Sequence, residues 1–227
     1  MNSVSLVCTV HEPMGLANAS ALLALLEHIQ PEVIFLEVPP AAFDDYYENC
    51  SQQNLESMAV RLYREGRQIE LIPVDLPTPT GEFVSNFEEL RRRIRQVSQE
   101  YRRLMKWDED CIREYGFAYL NSEHCSELWS DVYKEMVSTI KWMNDDPRLV
   151  AIYEAWKQKN DLREREMIEN IEKYCGENTF NRGVFLVGAA HRQAIIDIAR
   201  EQSAVDSTRI QRDFGDWMSQ VTRESGA

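Results

Sequence analysis

A strand, a helix and a second strand follow one another at the start of this chain, and this pattern constrains the fold more than any other feature. Residues 4–10 are apolar and β-rich, residues 20–29 carry apolar side chains at helical spacing, and residues 33–36 are apolar again. Asn18 or Ser20 is the expected helix cap, and a proline ends the helix. Two strands joined by a crossover helix lie parallel in one sheet, so the segment predicts an α/β fold.

The same pattern continues beyond this first unit. Residues 41–65 are expected to form one helix, residues 69–74 a third strand, and residues 183–188 a fourth strand that leads into a helix through about Arg200. Residues 207–211 are a further candidate strand. The predicted fold is therefore a mostly parallel sheet flanked by helices.

The middle of the chain has no strand pattern. Residues 86–174 have the pattern of three or four charged amphipathic helices, interrupted near Asp108, at residues 116–121 and at residues 145–147. The sheet core is thus expected to carry a large all-helical insertion. The chain divides on this basis into three parts: the first part of the α/β core (1–85), the helical insertion (86–177), and the second part of the core with a C-terminal tail (178–227).

The charge of the chain limits its partners. It carries 38 acidic and 25 basic residues, a net charge of −13, and residues 1–85 hold 12 of the acidic side chains and only three of the basic ones. Such a region repels phosphate backbones and favours cations or cationic substrates, so no nucleic-acid partner is expected. A need for solubility would explain the same charge.

Targeting and redox signals point to an ordinary intracellular protein. No run approaches the ~18–20 apolar residues that span a bilayer, and no Lys or Arg precedes the first apolar run, as a secretory signal requires. The five cysteines are scattered and never in C-x-x-C spacing, which argues against a disulfide framework and a structural zinc site. We therefore expect a soluble, cytoplasmic protein with reduced thiols and no membrane partner.

Four predicted strands each end at an ionisable residue: His11, Glu37, Asp75 and His191. The carboxyl ends of parallel strands share one edge of a sheet, where α/β proteins bind their ligands. Each residue alone is more often a cap or a satisfied hydrogen-bonding group, and the proline-rich turn after Asp75 gives it such an alternative role. Together, two imidazoles and two carboxylates form a set suited to Mn²⁺, Fe²⁺, Co²⁺ or Zn²⁺.

Common catalytic motifs are absent. His11-Glu12 begins like H-E-x-x-H, but Gly15 stands where the second histidine would be. Gly183 and Gly188 have the spacing of a P-loop, yet alanines occupy the lysine and serine or threonine positions. The chain also has no G-x-S-x-G and no G-x-G-x-x-G.

Three segments resemble those of a known family. Cys8-Thr9-Val10-His11, the strand Pro31–Glu37 and Gly188-Ala189-Ala190-His191 resemble the TraB/PrgY and TIKI superfamily, which is related to the ChaN-like and erythromycin-esterase-like proteins. That family has two GxxH motifs, a glutamate closing the second strand, and a second glutamate on the next helix, for which Glu56 is the match. The resemblance covers about residues 6–76 and 162–198.

Two further segments match, with departures. Val74-Asp75 resembles the family's strand that ends in Asp-Arg, although Leu76 replaces the arginine, and Cys8 replaces the first glycine of the N-terminal GxxH. The run Arg163-Glu164-Arg165-Glu166 resembles the family's Glu-Arg helix before the last strand. The departure at Leu76 leaves the role of Asp75 open.

The resemblance implies hydrolysis at an acyl centre. TIKI-like members are metal-dependent proteases, erythromycin-esterase-like members use a histidine to activate water, and the TraB/PrgY branch shuts down peptide pheromone signalling. By resemblance, His11 and His191 would hold a Mn²⁺, Co²⁺ or Zn²⁺ ion with Glu37 or Glu56, and the remaining glutamate would accept the proton from water. Arg163 or Arg165 would stabilise the oxyanion, unless these arginines only form ion pairs on a helix face.

Three functions stay open at this point. The first is a metal-dependent hydrolase of a peptide or a small ester or amide. The second is a non-catalytic protein that binds a metal or ligand for regulation, and the third is a metal-free esterase with His11 as general base. Tryptophans in the insertion indicate packing, a homodimer contact or a lid over the site: Trp107, Trp129, Trp142 and Trp156.

Overall fold

A parallel sheet forms the centre of the molecule. The computed structural model describes residues 1–77, 81–143, 146–205 and 210–215, without the side chains of 203–205. In these residues the strands all run parallel in the order β3-β2-β4-β1-β5, which confirms the predicted α/β fold. The strands are β1 (Asn2–Thr9), β2 (Val33–Leu36), β3 (Glu70–Pro73), β4 (Arg182–Gly188) and β5 (Ile210–Asp213). Of the candidate strand 207–211, residues 207–209 lie outside the described residues.

Helices flank the sheet and fill the interval between β3 and β4. They are α1 (Ala19–Ile29), α2 (Leu55–Arg64), α3 (Gly81–Val97), α4 (Gln99–Tyr115), α5 (Phe117–Leu120), α6 (Glu123–Trp142), α7 (Pro147–Glu177) and α8 (Arg192–Val205). The side chain of Asn18 accepts a hydrogen bond from the Ala21 N–H and so begins α1 as predicted. Among the described residues, none of these helices has both the length and the apolar character needed to cross a bilayer.

Two predictions of local structure are wrong. The helix does not break near Asp108, since α4 is continuous through this residue. The buried Asp108 carboxylate accepts a hydrogen bond of 2.7 Å from the hydroxyl of Tyr119 on α5. Nor do residues 41–65 form one helix. A 3₁₀ turn (Pro40–Ala42) and a π-helical turn (Asp44–Glu48) precede a break, and α2 begins only at Leu55.

A capping box explains why α2 starts where it does. The Asn54 side chain accepts from the Ser57 N–H at 2.8 Å, and the Asn54 N–H donates to the Ser57 hydroxyl at 3.0 Å. The Leu55 N–H also donates to the carbonyl of His11 at 2.9 Å. The new helix therefore places Glu56 in its first turn, directly beside the end of β1.

Two apolar clusters stabilise the molecule, and α7 contributes to both. Its start packs through Leu149 into a cluster formed by α3, α4 and α6, whereas Met167, Ile168 and Ile171 pack into the core around the sheet. Burial of such side chains is the main term that fixes how α7 lies against the rest of the protein. The stretch of α7 between these anchors is therefore held next to the carboxyl edge of the sheet.

Contacts from the insertion also hold the end of β1. The Asn121 side chain accepts from the Cys8 N–H at 2.7 Å and donates to the Cys8 carbonyl at 3.2 Å. Since β5 pairs with β1 only at residues 2–5, Asn121 satisfies these two backbone groups in place of a neighbouring strand. Gly15 has φ +56°, and a Cβ there would lie 2.5 Å from backbone atoms of Arg113. Only glycine permits the loop after His11 to pack this closely against α4.

The cysteines agree with the expectation of reduced, mostly buried thiols. All five are free, and Cys8, Cys111, Cys125 and Cys175 are buried. Burial raises the pKa of the Cys125 thiol to about 12 and that of Cys175 to about 11. These thiols therefore stay protonated and unreactive near neutral pH.

Candidate functional site

The residues that follow four neighbouring strands meet at one point above Gly188. The Gly188 N–H donates to Glu37 Oε2 at 2.6 Å. A Cβ at Gly188 would lie 3.3 Å from that oxygen, 3.8 Å from His11 Nε2 and 3.8 Å from His191 Cδ2. The fourth strand-end residue, Asp75, is joined to Glu37 through a shared guanidinium group. The structure thus brings together all four ionisable residues that the strand pattern singled out.

Each histidine of the cluster is held at Nδ1 by a buried glutamate. His11 Nδ1 lies 3.2 Å from Glu56 Oε1, and His191 Nδ1 lies 2.7 Å from Glu164 Oε1. A carboxylate at Nδ1 keeps a proton on that nitrogen and fixes the ring, which leaves Nε2 for a ligand or substrate. The Thr9 hydroxyl donates to Glu56 Oε1 at 2.6 Å and so holds the first of these glutamates in place.

The two histidines differ in their surroundings. The hydrogen bond with Glu56 raises the pKa of His11 to about 9, although its side chain is 61% exposed. His191 is buried, which alone would lower its pKa, but the charges of Glu37 and Glu164 outweigh burial and raise it. Without a competing cation, both rings therefore favour the protonated form.

Glu37 is the carboxylate at the centre of the cluster, and both its oxygens have partners. Burial alone would raise its pKa, but His191, His11, Arg163 and the Gly188 N–H together lower it. Its Oε1 accepts from Arg163 Nη2 at 2.7 Å and lies 3.4 Å from His191 Nε2. The group is thus ionised and surrounded by positive charge.

Only one of the two candidate arginines reaches the cluster. Arg163 donates to both oxygens of Asp75, at 2.7 to 3.2 Å, and to Glu37. Arg165 is exposed on α7 and has no hydrogen bond or ion pair with the described members of the cluster. Arg163 is ion-paired with carboxylates at the sheet edge, so it is not part of a simple helix-face network. Asp75 holds this guanidinium at the site.

One polar atom of the site has no partner. Glu56 Oε2 is buried and makes no hydrogen bond among the described residues. An orphaned buried carboxylate oxygen costs free energy unless a water, a proton or an ion satisfies it. Since Glu56 lines the cleft beside His11, a bound group in that cleft would supply the missing partner.

A cleft of about 310 Å³ opens over the part of the cluster formed by His11, Glu37 and Asp75, and His191 does not line it. Its polar wall includes His11, Glu37, Glu56 and Arg163, and the short turns after β2 supply Tyr46 and Tyr47. Burial raises the pKa of the Tyr47 phenol, which keeps it protonated as a hydrogen-bond donor. The volume suits a small molecule or one or two residues of a peptide.

Sequence reasoning missed several members of this site. Glu164 sits in a charged run that also fits a solvated helix face, and Thr9 lies within an apolar strand. Tyr47 lies in a segment for which one long helix was expected. Thr9 and Glu164 gain their roles from partners far away in the chain. The only signal for Glu164 was its place in the helix that resembles the family's Glu-Arg helix.

The imidazoles and carboxylates of the cluster are of the types that bind divalent ions, but here they are paired with one another. Among the described residues, no group of three or more His, Cys, Asp and Glu side chains is arranged so that it could hold a metal ion. Yet His11 and His191 both have Nδ1 held by a carboxylate, which is how metal-binding histidines are oriented.

No family model, curated protein or solved structure matches this chain. The resemblance in the short motifs therefore stays a prediction.

Proposed function

We propose that this protein is a metal-dependent hydrolase that cleaves a peptide or a small ester or amide in the cleft over Gly188. The observation that carries the proposal is the pair of histidines whose Nδ1 atoms are held by buried glutamates beside one ionised carboxylate. His11 Nε2, His191 Nε2 and Glu37 would hold a Mn²⁺, Co²⁺ or Zn²⁺ ion.

The bound ion would lower the pKa of a coordinated water toward neutrality and polarise the substrate carbonyl. Glu56 would accept the proton, because this residue lines the cleft and one of its buried oxygens has no hydrogen-bond partner among the described residues. Arg163 contributes positive charge at the cleft wall, where an oxyanion would develop, and Asp75 orients its guanidinium group. Arg165 has no part in this mechanism.

A metal-free esterase is the second candidate, because a histidine with a carboxylate at Nδ1 is also the arrangement of a general base. In that case His11 must be neutral to accept a proton. A pKa of about 9 keeps it protonated at neutral pH, so this enzyme would work best in alkaline solution.

Metal content and turnover measured together test the proposal. The untagged protein, purified without chelator, is loaded with Mn²⁺, Co²⁺ or Zn²⁺ and assayed on peptide and ester libraries. We expect one equivalent of metal and metal-dependent cleavage. His11→Ala and His191→Ala should lose both, while the matched control His124→Ala, whose ring hydrogen-bonds Trp107 away from the cluster, keeps both.

Three other outcomes are informative. Activity that survives both cluster variants would refute the proposal. Activity that resists chelators but requires His11 would favour the metal-free esterase. Stoichiometric metal without cleavage of any library member would favour a non-catalytic binding protein.

A further inference from the structure

A second cleft, of about 300 Å³, adjoins the site and is walled by aromatic rings. Trp129 and Tyr133 have ring centroids 5.7 Å apart, Tyr133 and Trp156 are 5.6 Å apart, and Tyr153 and Trp156 are 5.9 Å apart. These neighbouring rings are tilted by 36° to 49° against one another. Phe87 stacks on one face of Trp156, at 4.3 Å and 4°, and fixes the orientation of that indole. We call this space the aromatic cleft.

The aromatic cleft leads to His191. Ala189 and Ala190, from the turn that carries this histidine, line it, and so does its partner Glu164. Trp156 and Glu164 are eight residues apart on α7, so two helical turns connect the aromatic wall with the histidine's carboxylate. A group bound in the aromatic cleft would therefore lie next to a substrate held at Gly188.

The charges around this cleft favour a cation. Asp161, Glu164 and Asp197 line it together with Lys157. Asp161 is paired with Lys157 at 2.5 Å and Glu164 with His191 at 2.7 Å, so Asp197, which accepts a hydrogen bond from the neutral Gln193 amide at 2.9 Å, supplies the excess negative charge. Aromatic faces carry negative potential and attract cations, most strongly where water is excluded. An aromatic wall with an acidic rim therefore complements a group that carries both apolar substituents and a positive charge.

We propose that the aromatic cleft binds a substituted ammonium group, as found in alkylated amines and quaternary ammonium compounds. That this group belongs to the substrate rests on the proposed hydrolase function. The binding itself does not, because the aromatic rings and Asp197 lie outside the His–Glu pairs. The strongly acidic chain would also raise the local concentration of such cations.

An isosteric pair of probes tests the inference on the full-length protein. Choline and 3,3-dimethylbutan-1-ol have the same shape and differ only in the positive charge. In titrations followed by ligand NMR, we expect choline to bind roughly fivefold to thirtyfold more tightly than the neutral alcohol. Equal or tighter binding of the alcohol would overturn the proposal in favour of a neutral apolar subsite.

Variants assign the binding to the aromatic cleft. Asp197→Asn should weaken choline binding roughly threefold and leave the alcohol unchanged, since only the charge is removed. Trp156→Leu and Tyr153→Leu should each weaken choline binding at least fivefold, with Trp107→Phe as the matched control outside the cleft. Both Trp156→Leu and Tyr153→Leu are made, so that the test still holds if one of them fails to fold. Unchanged choline binding in both variants would refute the assignment of the ammonium site to the aromatic cleft.

The result is independent of the catalytic proposal. If the cleft binds ammonium groups but the protein has no hydrolytic activity, choline binding persists in His191→Ala and no cleavage is seen with any variant. If the hydrolase proposal is right and this inference wrong, cleavage is retained and choline fails to compete with the substrate.

Discussion

The two halves of the site use the same chemistry in different surroundings. The His191–Glu164 pair is buried, with 11% of the histidine side chain exposed, whereas 61% of the His11 side chain is exposed above the equally buried Glu56. His191 stands between a strand and α8, and His11 lies in a loop between β1 and α1. The buried pair His191–Glu164 is therefore the fixed half of the site, which anchors it. The pair His11–Glu56 is the open half, which is exposed to solvent and to the substrate.

The largest effect should come from removing either histidine. We expect His11→Ala and His191→Ala each to lower kcat/KM at least a thousandfold, because each would remove a ligand of the ion. Steady-state kinetics at saturating metal measures this loss. If His11→Ala keeps more than a tenth of the activity, the two histidines are not equivalent in catalysis.

Arg163 should matter greatly for stability and Arg165 very little. Arg163→Ala removes the cation that is paired with the buried Asp75 and one of the positive charges around Glu37, which should lower the free energy of unfolding by about 3 kcal/mol. Arg165→Ala removes an exposed side chain and should change it by less than about 0.5 kcal/mol. Urea denaturation of the two variants provides the measurement, and similar losses would contradict the placement of Arg163.

The two glutamates separate the fixed half from the open half. Glu164→Gln weakens the partner of a buried imidazole and should cost about 2 kcal/mol of unfolding free energy. Glu56→Gln should cost less than about 1 kcal/mol, because water can hydrate the exposed His11 ring. Urea titrations of both proteins without metal test the difference, and a larger loss for Glu56→Gln would reverse the comparison.

The smallest expected effect is a decline in stability of the metal-free protein at alkaline pH. The folded-state pKa of His11, about 9, lies above its unfolded value of about 6.5, so its contribution is complete below pH ~6.5 and is lost as the pH rises through 9. His191 acts in the same direction, and Glu37, with a lowered pKa, stays ionised throughout this window.

Urea midpoints measured between pH 6 and 10 in the presence of a chelator check the decline. His11→Gln should flatten the curve, with His28→Gln as the control. Stability that rises over this range in the original protein would contradict the direction of the His11 shift.

The sheet and most of its ligand edge could be predicted because their signals are local. Apolar runs define β1, β2 and β4, and parallel strands place their carboxyl ends at one edge whatever else the chain does. From that rule alone, the residues after all four strands could be expected to meet: His11, Glu37, Asp75 and His191. The contact of Asp75 with Arg163, through which it is linked to Glu37, is one that no spacing in the sequence specifies.

The helix boundaries and the role of Glu164 could not be predicted, because they depend on residues far away in the chain or on contacts between helices. The hydrogen bond from Tyr119 satisfies the Asp108 carboxylate inside the protein, where the charged residue alone suggested a break in α4. The capping box at Asn54 begins a new helix within a segment that has the composition of one helix. In the sequence, nothing distinguishes Glu164 from the other charged residues of its run. Only the packing of α7 against the sheet brings its carboxylate to His191. Tertiary contacts decide such positions, and a single sequence does not contain them as a pattern.

X-ray absorption spectroscopy of the stoichiometrically zinc-loaded protein tests the central claim most directly. The two carboxylate-held imidazoles predict a first shell with two nitrogen ligands at about 2.0–2.1 Å and the multiple scattering of histidine rings. His191→Ala should remove one of them. A shell made only of oxygen, or one unchanged in this variant, would mean that the histidines above Gly188 do not hold the ion.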